Sequence, residues 1–317
     1  MNESWRDPGR AALITNTASG ANRRSGAAAV NQRAAVAGLP NHALDRIEHL
    51  DDVLRRCALE DKRLLIVNAG DGTVCRLLDI VRAHDWFAEE PVIALLRGGT
   101  TNMIHRDVGW PGRPEAALGN LLTALGDGHC GECERHVLRI HRAGSDIIRH
   151  GFFFATHAVV RAILRVRGRL HSRASTGTVS EILSTGAMIW RLLRGRIEHD
   201  PVLRPVPLEV SRDQGEWRRV SHILLMAMTL RKMILGVRPL ARDQGAGVAA
   251  LNAPHYRILP WLWRLARGRS DPLQSLSLRG EFSWILDGEV YDHHAADGVL
   301  SVDVGEPVRF LVPAGRS

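Results

Sequence analysis

The sequence predicts an α/β protein with two domains: a Rossmann-like N-terminal domain built on a parallel sheet, and a mainly antiparallel domain after it. Two observations predict this class. Apolar runs alternate with helical stretches over about the first 130 residues, as in a parallel sheet flanked by helices. From His136 onward, strand-like runs predominate. We place the domains at residues 10–130 and 131–317, and leave open that the last strands return to the first domain.

The elements follow in order along the chain. In the first domain the predicted strands are residues 11–15, 42–48, 63–68 and 91–96, and the predicted helices are residues 26–37, 50–59, 74–82 and 114–125. In the second domain the predicted strands are residues 136–141, 147–155, 205–212 and 216–229, then several short strands from 276 to 312, with helices at 156–170 and 177–194. A glycine pattern at 245–250 lacks the strand–helix–strand context of a dinucleotide site, so we discount it.

The most informative motif joins the third strand to a helix. The apolar run Leu64–Val67 leads into Asn68-Ala-Gly-Asp-Gly-Thr73, and a helix follows. Backbone amides at such a turn, together with the helix dipole, favour a bound phosphate. Asp71 would act beside phosphates through a cation or a hydroxyl, because bare like charges repel. Capping of the following helix is the structural alternative for this aspartate.

Two other predicted strands end in similar turns, at residues 16–20 and 97–102. Ligands of open parallel sheets bind at the carboxyl ends of the strands, so we expect the three turns to converge on one cleft. The structural alternatives are a helix cap for Asn102 and ordinary turn positions for Thr17 and Ser19. The sequence therefore predicts a phosphate-handling protein.

Composition limits the remaining function classes. The 317 residues carry a formal net charge of +8, and all but two of the 42 basic residues are arginines. This charge suits anionic lipid headgroups or nucleotide phosphates, or reflects only a coding bias. No nucleic-acid-binding signature accompanies it, so nucleic acid is not an expected partner. No apolar run approaches the roughly 20 residues of a membrane span, and the N-terminus lacks a signal-peptide core, so we expect a cytoplasmic protein.

The four cysteines are too few for a disulfide framework in a chain of this length. Cys130 and Cys133 form a Cys-x-x-Cys with His129 and His136 beside it, a pattern that occurs in zinc and redox sites. The second Cys-x-x-Cys of a zinc ribbon is missing, and we assign the pair no role.

Four motifs together resemble the diacylglycerol kinase catalytic domain family, which includes bacterial lipid kinases and sphingosine kinases. The segments, each followed here by its family counterpart, are Asn16-Thr-Ala-Ser-Gly20 (Asn-Pro-x-Ser-Gly), Ala69-Gly-Asp-Gly-Thr73 (Gly-Gly-Asp-Gly-Thr), Gly98-Gly-Thr-Thr-Asn102 (Pro-x-Gly-Thr-x-Asn) and Asp287-Gly-Glu289 (Asp-Gly-Glu). They keep the family's order over nearly the whole chain. The chain departs from the pattern at Thr17, Ala69 and Arg97, where the family has proline, glycine and proline.

The resemblance implies an ATP-dependent lipid kinase of lipid metabolism or phospholipid biosynthesis, acting on a hydroxyl of a lipid such as diacylglycerol or a sphingoid base. It also implies that the second domain is a β-sandwich, and a lipid substrate would bring the protein peripherally to the inner membrane face. It implies that ATP contacts Asn16, Thr17, Ser19, Gly20, Gly70, Gly72, Thr73, Gly99, Thr100 and Asn102. It also makes Glu289 the general base, with Asp71 as a second catalytic residue. The chemistry is consistent, because phosphoryl transfer needs positioned phosphates and an acceptor for the hydroxyl proton.

Magnesium is expected together with ATP. Some bacterial members of the family hold a structural Mg²⁺ with a Pro-x-Ala-x-x-x-Asp-Gly segment. Pro239-Leu-Ala241 matches its start, but Gly245 falls at the aspartate position. Asp243, two residues earlier, is the nearest candidate ligand.

A lipid substrate requires contact with a membrane surface. The segment from Tyr256 to Arg269 mixes Trp261 and Trp263 with arginines, a composition that suits an anionic interface. Its alternative is an amphipathic helix packed on the sandwich. Residues 161–173 are similarly basic. No motif identifies the acceptor lipid or the oligomeric state.

Two other functions stay open. An NAD kinase shares the Gly-Gly-Asp-Gly turn, but the Asn-Glu pair with which NAD kinases contact the acceptor nucleotide occurs here only at Asn2-Glu3, before the first strand. A degenerate family member that binds nucleotide or lipid without turnover is the other, suggested by Ala69 and Gly245.

Overall fold

The computed structural model describes residues 4–23, 27–170, 202–233, 236–241, 243–252 and 258–315. The chain divides into two compact units. Unit 1 comprises residues 1–135 and 307–317, and unit 2 comprises residues 136–306. The C-terminal residues thus belong to the same unit as the N-terminal ones.

Unit 1 alternates strands and helices. Its strands are β1 (Ala11–Asn16), β2 (Asn41–Leu44), β3 (Leu64–Ala69) and β4 (Val92–Arg97), joined by the C-terminal part of β15 (Leu300–Pro313). Its helices are α1 (Ala27–Val36), α2 (Leu50–Leu59), α3 (Asp71–Ala83), α4 (Met103–Val108) and α5 (Pro114–Gly126). The alternation follows from the sequence, because short apolar runs are separated by longer stretches with helical periodicity.

The unit 1 sheet is parallel, in the order β2-β1-β3-β4-β15. All six residues of β1 and of β3 are buried. Such uninterrupted burial is typical of a parallel strand covered on both faces by helices. On one face, buried residues of α1 and α5 share a core with the sheet, among them Val30, Ala34, Leu118, Leu121, Leu13 and Ile66. The predicted parallel α/β domain is confirmed.

Unit 2 is built mainly from strands. They are β5 (Cys130–Arg142), β6 (Ile148–Gly151), β7 (Phe153–Thr156), β8 (Val206–Arg212), β9 (Arg218–Met228), β10 (Gly247–Asn252), β11 (Asp271–Pro272), β12 (Ser275–Arg279), β13 (Phe282–Leu286), β14 (Glu289–His293) and β15. The described residues of this unit also include the helices α6 (Ala158–Leu170) and α7 (Ile258–Ala266). The helix predicted at 177–194 lies outside the described residues.

Strand pairing in unit 2 is antiparallel, in the order β14-β13-β7-β9-β8-β12-β15, and β10 pairs with β9 and β11. The predicted antiparallel C-terminal part is confirmed. The discounted glycine pattern at 245–250 leads into strand β10, which pairs antiparallel with β9. The predicted strand 147–155 is two strands, β6 and β7, separated at Phe152. None of the described helices has the length and apolar character needed to cross a bilayer.

A buried histidine makes the stability of unit 2 dependent on pH. His157 is 3% exposed, with φ of +55° directly after β7. Burial, with smaller contributions from nearby His222 and Arg161, lowers the pKa of His157 from 6.5 to about 3. Below pH 6.5 the unfolded chain therefore takes up a proton that the folded chain rejects. This histidine should lower the free energy of unfolding by about 2 kcal/mol at pH 5 and leave it unchanged above pH 7.

Urea unfolding between pH 7.5 and 4.5 tests this expectation. His157→Asn is the comparison variant, because asparagine tolerates a positive φ and does not titrate. We expect stability of the wild type to fall more steeply below pH 6.5 than that of the variant. Equal pH dependence of the two proteins would contradict the assignment.

Candidate functional site

Three turns meet at the carboxyl edge of the unit 1 sheet. They follow β1, β3 and β4. From β1 the sheet continues to β2 on one side and to β3 and β4 on the other, so the strand order reverses direction beside β1. The backbone carbonyl of Gly98 accepts hydrogen bonds from the amides of Ala21 (3.0 Å) and Asn22 (3.3 Å), and the Gly98 amide donates to the Ala69 carbonyl (3.2 Å). Open α/β sheets bind ligands at such a reversal point. The predicted convergence of the three turns is confirmed.

The turns approach each other so closely that side chains would not fit. A Cβ atom on Gly99 would lie 2.5 Å from the Gly70 Cα, and one on Gly98 would lie 2.6 Å from the Ala69 backbone nitrogen. Both obstacles are backbone atoms, which cannot rotate away. Ala69 replaces a family glycine, and the positive-φ residues of the described chain do not include it, so alanine is accepted there without backbone strain.

Gly99→Ala is therefore expected to destabilise the protein by about 1–3 kcal/mol through forced displacement of the β3 or β4 turn. Gly126→Ala is the matched control, because Gly126 ends α5 and a Cβ there would meet no atom within 4 Å. The control should keep or slightly raise stability, since alanine is the better helix former. Equal urea midpoints for the two variants would contradict the close packing of the turns.

Most of the polar motif side chains hold the turns together. The Asn16 side-chain amide donates to Thr73 Oγ1 (2.9 Å), and its oxygen accepts from the Ala18 backbone amide (3.0 Å). The Ser19 hydroxyl lies 2.8 Å from two carbonyl oxygens, those of Asn16 and Gly98, to which it can donate. Thr17 donates to the Leu44 carbonyl at the end of β2 (2.8 Å). These side chains fix the backbone around the cleft, so backbone groups are left to meet a ligand.

Asp71 caps a helix, but a different helix from the one that the sequence suggested. Its carboxylate oxygens accept hydrogen bonds from the backbone amides of Met103 (2.8 Å) and Ile104 (3.0 Å) in the first turn of α4. The side chain is 7% exposed. The sequence suggested that Asp71 caps α3. That alternative names the wrong helix, because the carboxylate bonds to the first turn of α4, which follows the β4 turn. Asp71 thus connects two of the three turns, and a role for it in phosphoryl transfer stays a prediction.

Asn102 closes the turn after β4. It adopts the left-handed conformation (φ +50°), and its side chain exchanges two hydrogen bonds with the Gly99 backbone, accepting from the amide (2.8 Å) and donating to the carbonyl (2.6 Å). Asparagine tolerates this conformation better than most residues. Asn102 therefore occupies the N-cap position of α4, as expected, but its side chain bonds to the preceding turn and not to the helix.

The part of the site open to a ligand is mostly backbone. Gly70 occupies the N-cap of α3 and has no side chain to cap the helix, so the first-turn amides, including that of Gly72, are the donors this terminus offers. Thr100 is exposed, and its hydroxyl lies where a Cβ on Gly20 would fall. Arg97, exposed at the end of β4, adds a positive charge. A helix dipole, amide donors and a guanidinium together favour an anion.

Sequence reasoning missed Asn22. This residue is 5% exposed, and its side-chain amide donates to the backbone carbonyls of Asn16 (2.9 Å) and Asn68 (2.8 Å). It thereby joins the ends of β1 and β3 beneath the turns. Its position six residues after Asn16, among turn residues, was the only available signal.

In unit 2, Glu289 lies on a tight hairpin between β13 and β14. Leu286 pairs with Glu289, and the two residues between them, Asp287 and Gly288, both have positive φ (+46° and +102°), as a type I′ turn requires. Asp287 is buried and accepts a hydrogen bond from the Phe152 amide (2.7 Å), while its own amide donates to the Phe153 carbonyl (3.0 Å). Glu289 itself is exposed. The buried aspartate fixes the hairpin, and the glutamate is presented to solvent.

Aromatic residues support the same hairpin. Tyr291 lies two residues after Glu289, on the same side of β14. Its ring stacks on Trp284 (centroids 4.4 Å apart), and the guanidinium of Arg149 lies 4.6 Å above it. This packing makes the strand that carries Glu289 a rigid support.

The candidate metal ligands do not cluster in the part of the chain that the structure describes. Among the described residues, no group of three or more His, Cys, Asp or Glu side chains is placed to hold a metal ion. Asp243 is exposed in a loop before β10. Cys130 and Cys133 are both free thiols and, three residues apart on β5, point to opposite faces of the strand. Burial raises the pKa of Cys130, which disfavours the thiolate that zinc binding or redox chemistry needs.

Unit 1 therefore has an α/β fold with three glycine-containing turns at the carboxyl edge of its parallel sheet. A sequence profile of the diacylglycerol kinase catalytic domain matches residues 10–132, so this part of the chain is a domain of that family. A search of curated proteins gave no match.

Solved structures of kinases share the fold. A diacylglycerol kinase from Bacillus anthracis is 14% identical, with a TM-score of 0.57, and the match covers 95% of this chain and 96% of that one. An NAD kinase from Archaeoglobus fulgidus, solved in complex with ATP, is 12% identical, with a TM-score of 0.50, and the match covers 96% of this chain and 95% of that one. The family domain and these folds together identify a kinase-type phosphotransferase.

Proposed function

We propose that the protein is an ATP-dependent lipid kinase that transfers the γ-phosphoryl group of ATP to a hydroxyl of a lipid such as diacylglycerol or a sphingoid base. The observation that carries the proposal is the meeting of the three motif turns at the α3 N-terminus, inside a diacylglycerol kinase catalytic domain. The Asp-Gly-Glu segment supports the lipid acceptor, since its glutamate is exposed on a fixed hairpin.

In this proposal the ATP phosphates bind to the backbone amides of the turns after β1, β3 and β4. Glycine at positions 20, 70 and 72 lets the backbone approach the phosphate oxygens without side-chain obstruction, and glycine at position 99 lets the β4 turn pack against Gly70. The side chains of Asn16, Asp71 and Asn102 keep these amides in place. Preorganised donors stabilise charge on the transferred group without reorganising during the reaction.

Glu289 is the proposed general base. Its carboxylate is exposed and can accept the proton of the lipid hydroxyl as the oxygen attacks the γ-phosphorus. The Asp287 hydrogen bonds hold the glutamate's backbone, which reduces the conformational freedom that would otherwise be lost at the reaction step.

No group of three or more His, Cys, Asp or Glu side chains in the described part of the chain is placed to hold a metal ion. Asp71, the carboxylate in the phosphate turn, is already held by two backbone amides. The nucleotide substrate in this proposal is MgATP, with the ion bound to the phosphate oxygens.

Transfer of labelled phosphate from MgATP to a panel of acceptors tests the proposal. The panel contains diacylglycerol, monoacylglycerol, sphingosine and ceramide in mixed micelles, and NAD in solution, because one of the structures that share the fold is an NAD kinase. Label in a lipid product supports the proposal. Label in NADP alone would replace it with the NAD kinase function, and ATP binding without any transfer would indicate a degenerate member.

A further inference from the structure

Two tryptophans of unit 2 are unusually exposed. Trp263 on α7 is 47% exposed, and Trp217, immediately before β9, is 40% exposed. Exposure of such large rings loses the hydrophobic gain of burial, and an indole suits the boundary between water and lipid, where one end is apolar and the other polar.

Each of these tryptophans carries arginine over its ring. The guanidinium carbon of Arg267 lies 3.8 Å from the Trp263 ring centroid, and that of Arg269 lies 5.5 Å from it. Arg279 lies 4.1 Å from the Trp217 ring centroid. The guanidinium groups are thus held beside the indoles while staying exposed. Paired in this way, a cation and an apolar ring can contact a phosphate headgroup and the start of an acyl chain together.

The two Trp–Arg pairs are connected through one carboxylate. Asp271 lies 3.6 Å from Arg212, at the end of β8, and 3.8 Å from Arg264 on α7. Arg212 also donates to the Pro272 carbonyl. The turn between β8 and β9 is therefore fixed against the segment that follows α7. We define the Trp–Arg surface as residues 212–219, residues 263–271 and Arg279.

The Trp–Arg surface is strongly basic. It contains seven arginines and three carboxylates. The arginines are Arg212, Arg218, Arg219, Arg264, Arg267, Arg269 and Arg279, and the carboxylates are Asp213, Glu216 and Asp271. Asp213 is engaged with the backbone amides of Gln274 and Ser275. The net positive charge therefore faces solvent and is complementary to an anionic surface.

We propose that the Trp–Arg surface docks the protein on an anionic lipid bilayer. Arginines near a bilayer gain attraction from acidic headgroups, and the indoles gain from partial burial at the interface. A nucleic-acid duplex would use the arginines but would not require exposed tryptophans beneath them. This inference rests on the proposed function, because a lipid acceptor is what requires the protein to reach a membrane.

Vesicle sedimentation with the full-length protein tests the proposal. Wild-type protein is mixed with vesicles of phosphatidylcholine alone, or with 30% phosphatidylglycerol added, at low and at physiological salt. We expect at least tenfold stronger partitioning onto the anionic vesicles, weakened by salt. Equal binding to both vesicles, or none, would overturn the proposal, as would tighter binding to a DNA duplex than to anionic vesicles.

Two double variants and a charge-matched control locate the surface. Arg267→Ala/Arg269→Ala removes two charges, and Trp217→Ala/Trp263→Ala removes the indoles while keeping the charge. The control Arg46→Ala/Arg55→Ala removes two exposed arginines of unit 1. Both surface variants should lose at least fivefold in partitioning, while the control stays within twofold. If the control falls as much as the arginine variant, only net charge matters and the assigned surface is wrong.

A soluble acceptor separates docking from catalysis. The surface variants should phosphorylate a short-chain diacylglycerol below its micelle concentration at the wild-type rate, which also shows that they are folded. Loss of that activity would overturn the assignment of these residues to docking alone. If the wild type binds anionic vesicles but phosphorylates no lipid, the docking surface stands and the proposed function fails.

Discussion

Glu289→Gln is expected to lower kcat for lipid phosphorylation by about 10²- to 10⁴-fold, the range that a general base contributes. The amide keeps the size and hydrogen-bonding reach of the carboxylate but cannot take the hydroxyl proton. KM for the lipid should change little, because the proposed role is confined to the transition state. Because Glu289 is exposed, the variant should unfold at the same urea concentration as the wild type.

Glu281→Gln is the matched control. Glu281 is another exposed glutamate of unit 2, immediately before β13, so the chemical change is identical. Its kcat should stay within about twofold of the wild type. A Glu289→Gln enzyme with near-normal kcat would remove the base assignment, and an equal loss in both variants would point to a general charge effect.

Asp71→Ala is expected to have the largest effect on stability, a loss of about 2–5 kcal/mol in the free energy of unfolding. The substitution leaves the Met103 and Ile104 amides without their charged acceptor in a buried position, and each such loss costs about 1–3 kcal/mol. It also detaches the α4 end from the β3 turn, so we expect MgATP affinity to fall along with stability. Urea unfolding and calorimetric titration measure the two effects.

Asp52→Ala is the control for this prediction. Asp52 is an exposed aspartate in the first turn of α2, so its loss should cost less than about 1 kcal/mol. If Asp71→Ala kept wild-type stability and MgATP affinity but lost phosphate transfer, the residue would have a chemical role in place of the positioning role that its hydrogen bonds indicate.

The elements of unit 1 could largely be predicted because local signals define them. Helix α2 covers Leu50–Leu59, as predicted, since its buried Leu50, Leu54 and Cys57 recur at helical spacing. Helix α3 begins at Asp71, three residues before the predicted start, because the motif residues Asp71–Thr73 themselves form its first turn. Glycine turns and buried strands can be recognised from local sequence patterns. The convergence of the three turns then follows from the predicted parallel sheet, because the carboxyl ends of its strands lie at one edge.

Other features could not be predicted because distant residues create them. Helix α4 is only six residues long and gains its cap from Asp71, about thirty residues earlier in the chain. Tertiary contacts also decide which carbonyls accept hydrogen bonds from Asn22, and that Asp287 accepts a hydrogen bond from the Phe152 amide. Strand β10 is not among the predicted strands, because the glycines and alanines at 245–250 resemble a dinucleotide motif more than an alternating strand. Sequence patterns specify turns and periodicity, but not the partner of a buried polar group.

The most direct test of the central claim is to measure ADP and lipid-bound phosphate in one reaction with MgATP and the acceptor panel. A lipid kinase produces the two in a 1:1 ratio, and we expect that ratio, with both products falling together in Glu289→Gln. ADP without lipid phosphate would show ATP hydrolysis uncoupled from a lipid acceptor. Formation of neither product by a protein that binds MgATP would contradict the account.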